Sequence, residues 1–165
     1  MLVEYEHRLA RMCAIMQRTG MVLDRPYTER LSEQLREDSE RYSNIARRYG
    51  VENVNATRQI ADALAGMGEE LNETTKTGAV RVDKAVLLRL ADLDSKWRRL
   101  NRREPNVLAD AIIRSKRAAK WKTAYTDTFL ETADEEGRVH PFINSMQART
   151  GRMSITRPAL QTLPS

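Results

Sequence analysis

The segment that most restricts this chain is a helix predicted from Pro26 to about Arg48. Its apolar positions, Leu31, Leu35, Tyr42, Ile45 and Tyr49, form a thin stripe at heptad-like spacing, and most other positions are charged or polar. Such a stripe buries one seam, so the helix is expected to project from the body and pair with a single partner. The partner it points to runs from Pro105 to about Thr132. There the seam Leu108, Ala111, Ile112, Ser115, Ala118, Ala119, Tyr125 and Phe129 is rich in small residues that let two helices approach closely.

The remaining pattern is built around that pair. From Leu2 to Arg18, Leu2, Tyr5, Leu9, Met12, Cys13 and Met16 recur at three and four residues and mark one face of an amphipathic helix that Gly20 ends. Residues 21–24, MVLD, read as a short extended stretch, after which Pro26 suits the first turn of the next helix. Shorter helices are expected from about Ala56 to Met67 and from about Asp83 to Asn101, with Asn55 and Asp83 as N-caps and the loop GMGEELNETTKTG between them. Beyond Asp134-Glu135-Glu136-Gly137, RVHPFIN and SMQARTGRMS alternate apolar with polar residues, which predicts an extended hairpin. Pro141 makes its first strand an edge or irregular strand. The expected fold class is mostly α: a long antiparallel helical arm with short tip helices, and a small β-hairpin or extended segment at the C-terminus.

Charge and composition exclude several functions. No stretch approaches the roughly 18 uncharged residues of a membrane span, and MLVEYEHRLARMC has acidic residues where a signal peptide has basic ones, so a cytoplasmic chain is expected. The single Cys13 cannot form an internal disulfide and reads as a buried thiol in a reducing compartment. Between Lys96 and Lys122 stand Lys96, Arg98, Arg99, Arg102, Arg103, Arg114, Lys116, Arg117, Lys120 and Lys122, against only Glu104 and Asp110. The formal net charge of the whole chain is +5, so the rest is net negative. That asymmetry points to a polyanion, nucleic acid before an anionic membrane surface, or to a solvated helix face.

Little else carries chemistry. His7 and His140 are far apart and the cysteine has no ligand beside it, so no metal site is expected within the chain. Asp92 and Asp94, read as lying on a helix, would point to different faces, and the Asp134-Glu135-Glu136 run reads as a solvated turn. GMGEEL is not followed by the Lys-Ser/Thr helix start of a phosphate-binding loop.

An ordered set of motifs does resemble one family. MQRTGMVLD (16–24), NVNATRQI (53–60), TKTGAVRVDKAVL (75–87), IIRSKRAAKWKTAYTD (112–127), RVHPFINSMQARTGRMS (138–154) and PALQTLP (158–164) are similar, in order and spacing, to motifs of the family A DNA polymerases. The resemblance implies that residues 1–23 lead into a thumb, that 24–132 are the thumb, and that 133–165 begin an incomplete palm. It implies a role in DNA-directed DNA synthesis and replication, with duplex primer-template DNA and the remaining palm and fingers as partners. The metal-binding aspartates would lie outside this segment, so Mg²⁺ is expected for the complete polymerase alone and the segment by itself is expected to be inactive.

The residues that the resemblance marks for DNA are Asn53, Asn55 and Thr57, then Thr75, Lys76 and Thr77, then Lys116 and Lys120, and finally Arg152, Ser154 and Gln161. In the family, the arginine matching Arg152 reaches the minor groove at the primer end, where acceptors common to all correct pairs report pairing geometry. The asparagines are equally suited to plain helix capping. Ala159 and Thr162 stand where the family usually has asparagines, Lys116 where it has an arginine, Gln17 where it has a glutamate, and Ser115 where it has a tyrosine. A free-standing helical DNA-binding or regulatory protein derived from such a thumb is the alternative.

Overall fold

The computed structural model describes residues 2–74, 78, 80–145 and 152–163. The chain forms two compact units, Met1–Glu33 with Trp121–Ser165, and Gln34–Lys120. The helices are α1 (Leu2–Thr19), α2 (Arg25–Arg48), α3 (Thr57–Gly66), α4 (Lys84–Leu90), α5 (Val107–Trp121) and α6 (Thr128–Thr132), with a π-helical turn Lys122–Asp127 joining the last two. The strands are β1 (Met21–Val22), β2 (Arg138–Val139), β3 (Phe142–Asn144) and β4 (Ser154–Thr156). The mostly helical class expected from the sequence is the class observed.

The unit Gln34–Lys120 holds the main apolar core. Ile60 and Leu64 of α3, Leu90 of α4, and Leu108 and Ile112 of α5 are fully buried there, with Val51 closing the end of α2. The stripe expected on α2 is rotated. Leu35 is buried as expected, but Thr28, Ser32 and Ala46 are buried with it, while Leu31, Tyr42 and Ile45 are half-buried and Tyr49 is exposed. The reason lies in small polar residues. Ser43 and Ser115 share a hydroxyl hydrogen bond of 2.9 Å, and the Ser115 hydroxyl donates to the Ser39 carbonyl at 3.1 Å. Serines whose hydroxyls are satisfied across the seam can occupy it at close approach, so the long side chains flank it. The tyrosine ring of Tyr42 instead stacks against the Arg41 guanidinium at 4.7 Å and faces that of Arg114 at 5.9 Å.

Two local expectations need correction. The helix expected from Asp83 to Asn101 starts as predicted, with the Asp83 carboxylate accepting from the Val86 amide at 3.0 Å, but it ends at Leu90. Leu93, Trp97 and Leu100 keep a helical spacing that suggested continuation, yet Asp94 takes the amides of Lys96 and Arg98 at 2.8 and 2.9 Å and turns the chain. Asp92, Trp97 and Asn101 adopt left-handed φ values of 53°, 66° and 53°. An aspartate that captures backbone amides ahead of it competes directly with helix continuation. Asp92 and Asp94 therefore lie in a folded loop, with Leu93 bridged to Arg99, and not on a helix. Likewise Asn55 does not cap α3: the cap position is Ala56, without a side-chain bond.

In the other unit, α1 stops at Gly20, whose φ of +65° is left-handed and whose missing side chain admits the His140 ring; a Cβ there would lie 2.8 Å from it. The extended C-terminal stretch forms two ladders. β1 pairs with β2 and β3 with β4, both antiparallel, with Ile143 opposite Ile155 in the second. His140 and Pro141 separate β2 from β3, which is the irregularity expected of Pro141. Cys13 is buried, as expected, with its thiol 3.8 Å from the Met153 sulfur.

Candidate nucleic-acid interface

The basic run of 96–122 divides sharply once its partners are visible. Arg98 pairs with Asp94 at 2.7 Å, Arg103 with Glu69 at 2.6 Å, Arg114 with Asp110 at 2.7 Å, Arg99 with Asp110 at 3.4 Å, and Lys122 with Asp127 at 2.7 Å. These cations are committed to the fold. The hydrogen bond to Asp110 raises the pKa of Arg114 above its ordinary value, and Arg117 stacks on Trp97 at 4.3 Å. Lys116 and Lys120 differ. They stand four residues apart on α5, so they share a face, and neither makes an ion pair with a described residue. Lys116 is half-buried, and that desolvation lowers its pKa below the ordinary lysine value.

At the start of α3 the backbone is arranged by the side chains of Asn53 and Gln59. The Asn53 side-chain Oδ1 accepts the Asn55 backbone amide at 2.8 Å, and the Gln59 side-chain Oε1 reaches back to accept the Asn53 backbone amide at 3.2 Å. Asn53, Asn55 and Thr57 are all exposed, and Thr57 is the first residue of the helix. Amides of a first helical turn carry partial positive charge and lack helical acceptors, so this end can take an anion while Asn53 shapes the turn behind it. Thr75, Lys76 and Thr77 lie outside the described residues.

Arg152, Ser154 and Gln161 cluster at the end of the β3–β4 ladder. Gln161, in a short 3₁₀ turn Leu160–Thr162, accepts the Ile155 amide at 3.3 Å and donates to the Met153 carbonyl at 3.4 Å. These bonds bracket Ser154, the first residue of β4. Arg152 is exposed two residues before the strand. The Tyr125 hydroxyl also donates to the Thr162 carbonyl at 2.6 Å, tying the 3₁₀ turn to the π-helical turn.

Two features were not legible in the sequence. The π-helical turn is held by a junction in which Lys122 donates to both Asp127 oxygens, at 2.8 and 2.7 Å, and Ser32 donates to the same carboxylate at 2.9 Å. These contacts hold Asp127 below its ordinary pKa against its own burial. A one-residue change of helical register has no composition signal, although the i, i+5 pairing of Lys122 with Asp127 is a weak one. The second feature is a cavity beside α4, lined by Ala85, Leu88 and Arg89 of that helix. Among the described residues, no group of three or more His, Cys, Asp or Glu side chains is placed to hold a metal ion. No described helix is long and apolar enough to cross a membrane.

The family model for DNA polymerase family A matches residues 25–165. This chain belongs to that family. The DNA polymerase of Mycobacterium phage L5 is 39% identical over 165 residues, and that of Mycobacterium phage D29 is 37% identical, each alignment covering 99% of this chain and 26% of the relative. A thermostable DNA polymerase I of Thermus thermophilus is 30% identical over 98% of this chain and 18% of its own length. In three dimensions the family A segment matches the structure titled "POL domain of Pol1 from M. smegmatis complex with DNA primer-template and dNTP", with a TM-score of 0.76 and 22% identity, over 97% of this chain and 27% of that one. The segment thus spans about a quarter of the length of the phage polymerases it resembles.

Proposed function

We propose that this chain is the thumb and the beginning of the palm of a DNA-directed DNA polymerase, and that it grips primer-template duplex during replication. Residues 1–23 would lead into the thumb, 24–132 form it and 133–165 start the palm. The observation that carries this reading is the sorting of the basic run: internal carboxylates hold many of its cations, while Lys116 and Lys120 share one face of α5 without an ion-pair partner. Burial lowers the pKa of Lys116, a phosphate beside it would offset that desolvation, and phosphate contacts bind DNA of any sequence. Asn53, Asn55, Thr57, Thr75, Lys76 and Thr77 would contact the backbone from the first turn of α3 and the loop beyond it. Arg152, with Ser154 and Gln161 behind it, would read the minor groove at the primer end.

Catalysis would depend on Mg²⁺ and on carboxylates outside this segment. The segment supplies positioning alone. The ladders of two or three residues and the exposed Met12, Met16, Met21, Val22 and Phe142 in the unit Met1–Glu33 with Trp121–Ser165 suit cover by the remaining palm and fingers. The relatives' phage and bacterial origins favour a cytoplasmic setting.

Fluorescence anisotropy of a labelled DNA duplex across a salt series tests the reading. The chain should bind weakly, with log affinity falling by about 0.9 per neutralised phosphate against log salt, and the double variant K116A/K120A should flatten that slope by about 1.8. Salt-insensitive binding, or an unchanged slope in the variant, would exclude a phosphate grip by this face.

A further inference from the structure

The corrected loop after α4 creates a site that no part of the DNA reading uses. Because the chain turns at Leu90, residues 92–103 fold back beside the helix and leave a cavity of about 440 Å³ against it. Ala85 and Leu88 of α4 with Leu93 and Leu100 of the loop form its apolar surface, and Arg89 and Arg102 stand on its lining with them. Its volume lies within the roughly 300–1,000 Å³ range of ligand sites.

The charges around it are unequal. Arg103, also on the lining, is held by Glu69 at 2.6 Å. Asp92 is 2% exposed, and one of its carboxylate oxygens accepts the Arg102 backbone amide at 3.1 Å, so that acid supports the loop. Arg89 and Arg102 are exposed, and neither guanidinium makes an ion pair with a described residue. An apolar hollow edged by two exposed guanidiniums, of which Arg89 also lies near enough to Glu69 to help lower its pKa, complements a ligand that has an apolar body with carboxylates on either side. Arginine binds such carboxylates in a bidentate fork, and a buried aromatic anchor is the usual centre of a small protein contact. A nucleic-acid backbone has phosphates but no side chain to fill the hollow, and no aromatic ring among the described residues lines it to stack a base.

We infer that the cavity between α4 and the 92–103 loop docks an acidic peptide segment of a partner protein, with one large apolar side chain inserted beside Leu88, Leu93 and Leu100 and flanking carboxylates on Arg89 and Arg102. The lining includes none of Lys116, Lys120 and Arg152, and the site's occupancy does not depend on whether those residues hold DNA.

The test is fluorescence anisotropy with a fluorescein-labelled peptide, EDDFDDE, added to the full chain at fixed salt. Saturable binding is expected. It should weaken about tenfold, the worth of about 1.4 kcal/mol, when the phenylalanine is replaced by glycine, and by a similar factor in the R89E/R102E double variant. Ala85→Trp, which fills the hollow from an exposed helical position, should abolish it. Arg89 and Arg102 are both exposed, so helical circular dichroism of the double variant should be unchanged and its result interpretable even if Ala85→Trp misfolds. The control Arg11→Glu, on α1 in the other unit, should bind as the parent does. Absence of saturable binding, equal binding of the glycine peptide, or equal weakening by Arg11→Glu would overturn the inference. A duplex titration on the same samples keeps the two readings apart, since DNA binding that persists when the peptide fails rejects the cavity alone.

Discussion

His140 is the residue where protonation and structure are most tightly coupled. Its Nδ1 lies 2.8 Å from the Gln17 carbonyl and its Nε2 lies 2.8 Å from the Asp134 carboxylate. Both partners only accept, so both ring nitrogens must carry hydrogens for both bonds to form, and the imidazolium is the form that fits. The hydrogen bond to Asp134 and that to Gln17 raise the His140 pKa, and the Asp134 pKa is lowered, mainly by the Arg138 amide and then by His140. The histidine contribution is complete below the ordinary value of 6.5 and is lost as pH rises through the raised one. The aspartate contribution is present above 3.8 and is lost as pH falls through its lowered value. Urea unfolding midpoints should therefore decline as pH rises from the ordinary histidine value of 6.5 through the raised one, and the decline should be reduced in His140→Gln, with a small amplitude because solvent screens both groups. A decline of the same size in the variant would show that another group titrates.

Lys116 belongs to the same scale. Its pKa is lowered by burial alone, so bound duplex should raise it. Side-chain NMR of the lysine Nζ with and without a duplex measures that shift, and an unchanged value would place the phosphate elsewhere. At this scale the sequence was legible where a side chain acts on its own neighbours: Asp83 was expected to cap α4 and does. Asp94 was opaque because its two amide bonds form only once the helix has stopped, and the spacing of Leu93, Trp97 and Leu100 fits either outcome.

Among the elements, the pairing of α2 with α5 rests on three serines. Ser115 is 1% exposed and bonded to both Ser39 and Ser43. The family resemblance places a tyrosine at this position, yet the observed seam leaves it no room. Ser115→Tyr should destabilise the chain by about 1–3 kcal/mol through overpacking, measured by chemical denaturation. Loss of no stability would mean that α2 can move aside. Ser115→Ala should cost about 1 kcal/mol, since it removes the hydroxyl that Ser43 and Ser39 share. The existence of both helices was legible from period and length, whereas the face each presents was not. Serine is neutral in a hydrophobicity pattern and becomes a seam residue only when its hydroxyl finds a partner on the other helix.

For the molecule as a whole, stability should be uneven. The buried apolar cluster, from Ala46 to Ile113, lies within the unit Gln34–Lys120, while α1 buries Cys13 but exposes Val3, Tyr5, Met12, Ile15 and Met16. Native-state hydrogen exchange should show the strongest protection in α3, α4 and the first turns of α5, and faster exchange in α1 and the β1–β2 ladder. Equal protection throughout would mean that the exposed faces of α1 are covered in solution, for example by self-association.

Sequence alone determined the helical class, the break at Gly20, the burial of Cys13 and membership of a polymerase family, because each depends on local period, a single conformational requirement or an ordered run of motifs. Tertiary structure alone decided which cations of the basic run are ion-paired within the fold, which face of α2 is buried, and that a cavity opens beside α4. Those outcomes depend on pairing between residues far apart in the chain, as Arg103 with Glu69 and Ser43 with Ser115 show. A one-dimensional pattern records how many charges and hydroxyls are present, and only the folded chain determines which of them are already satisfied.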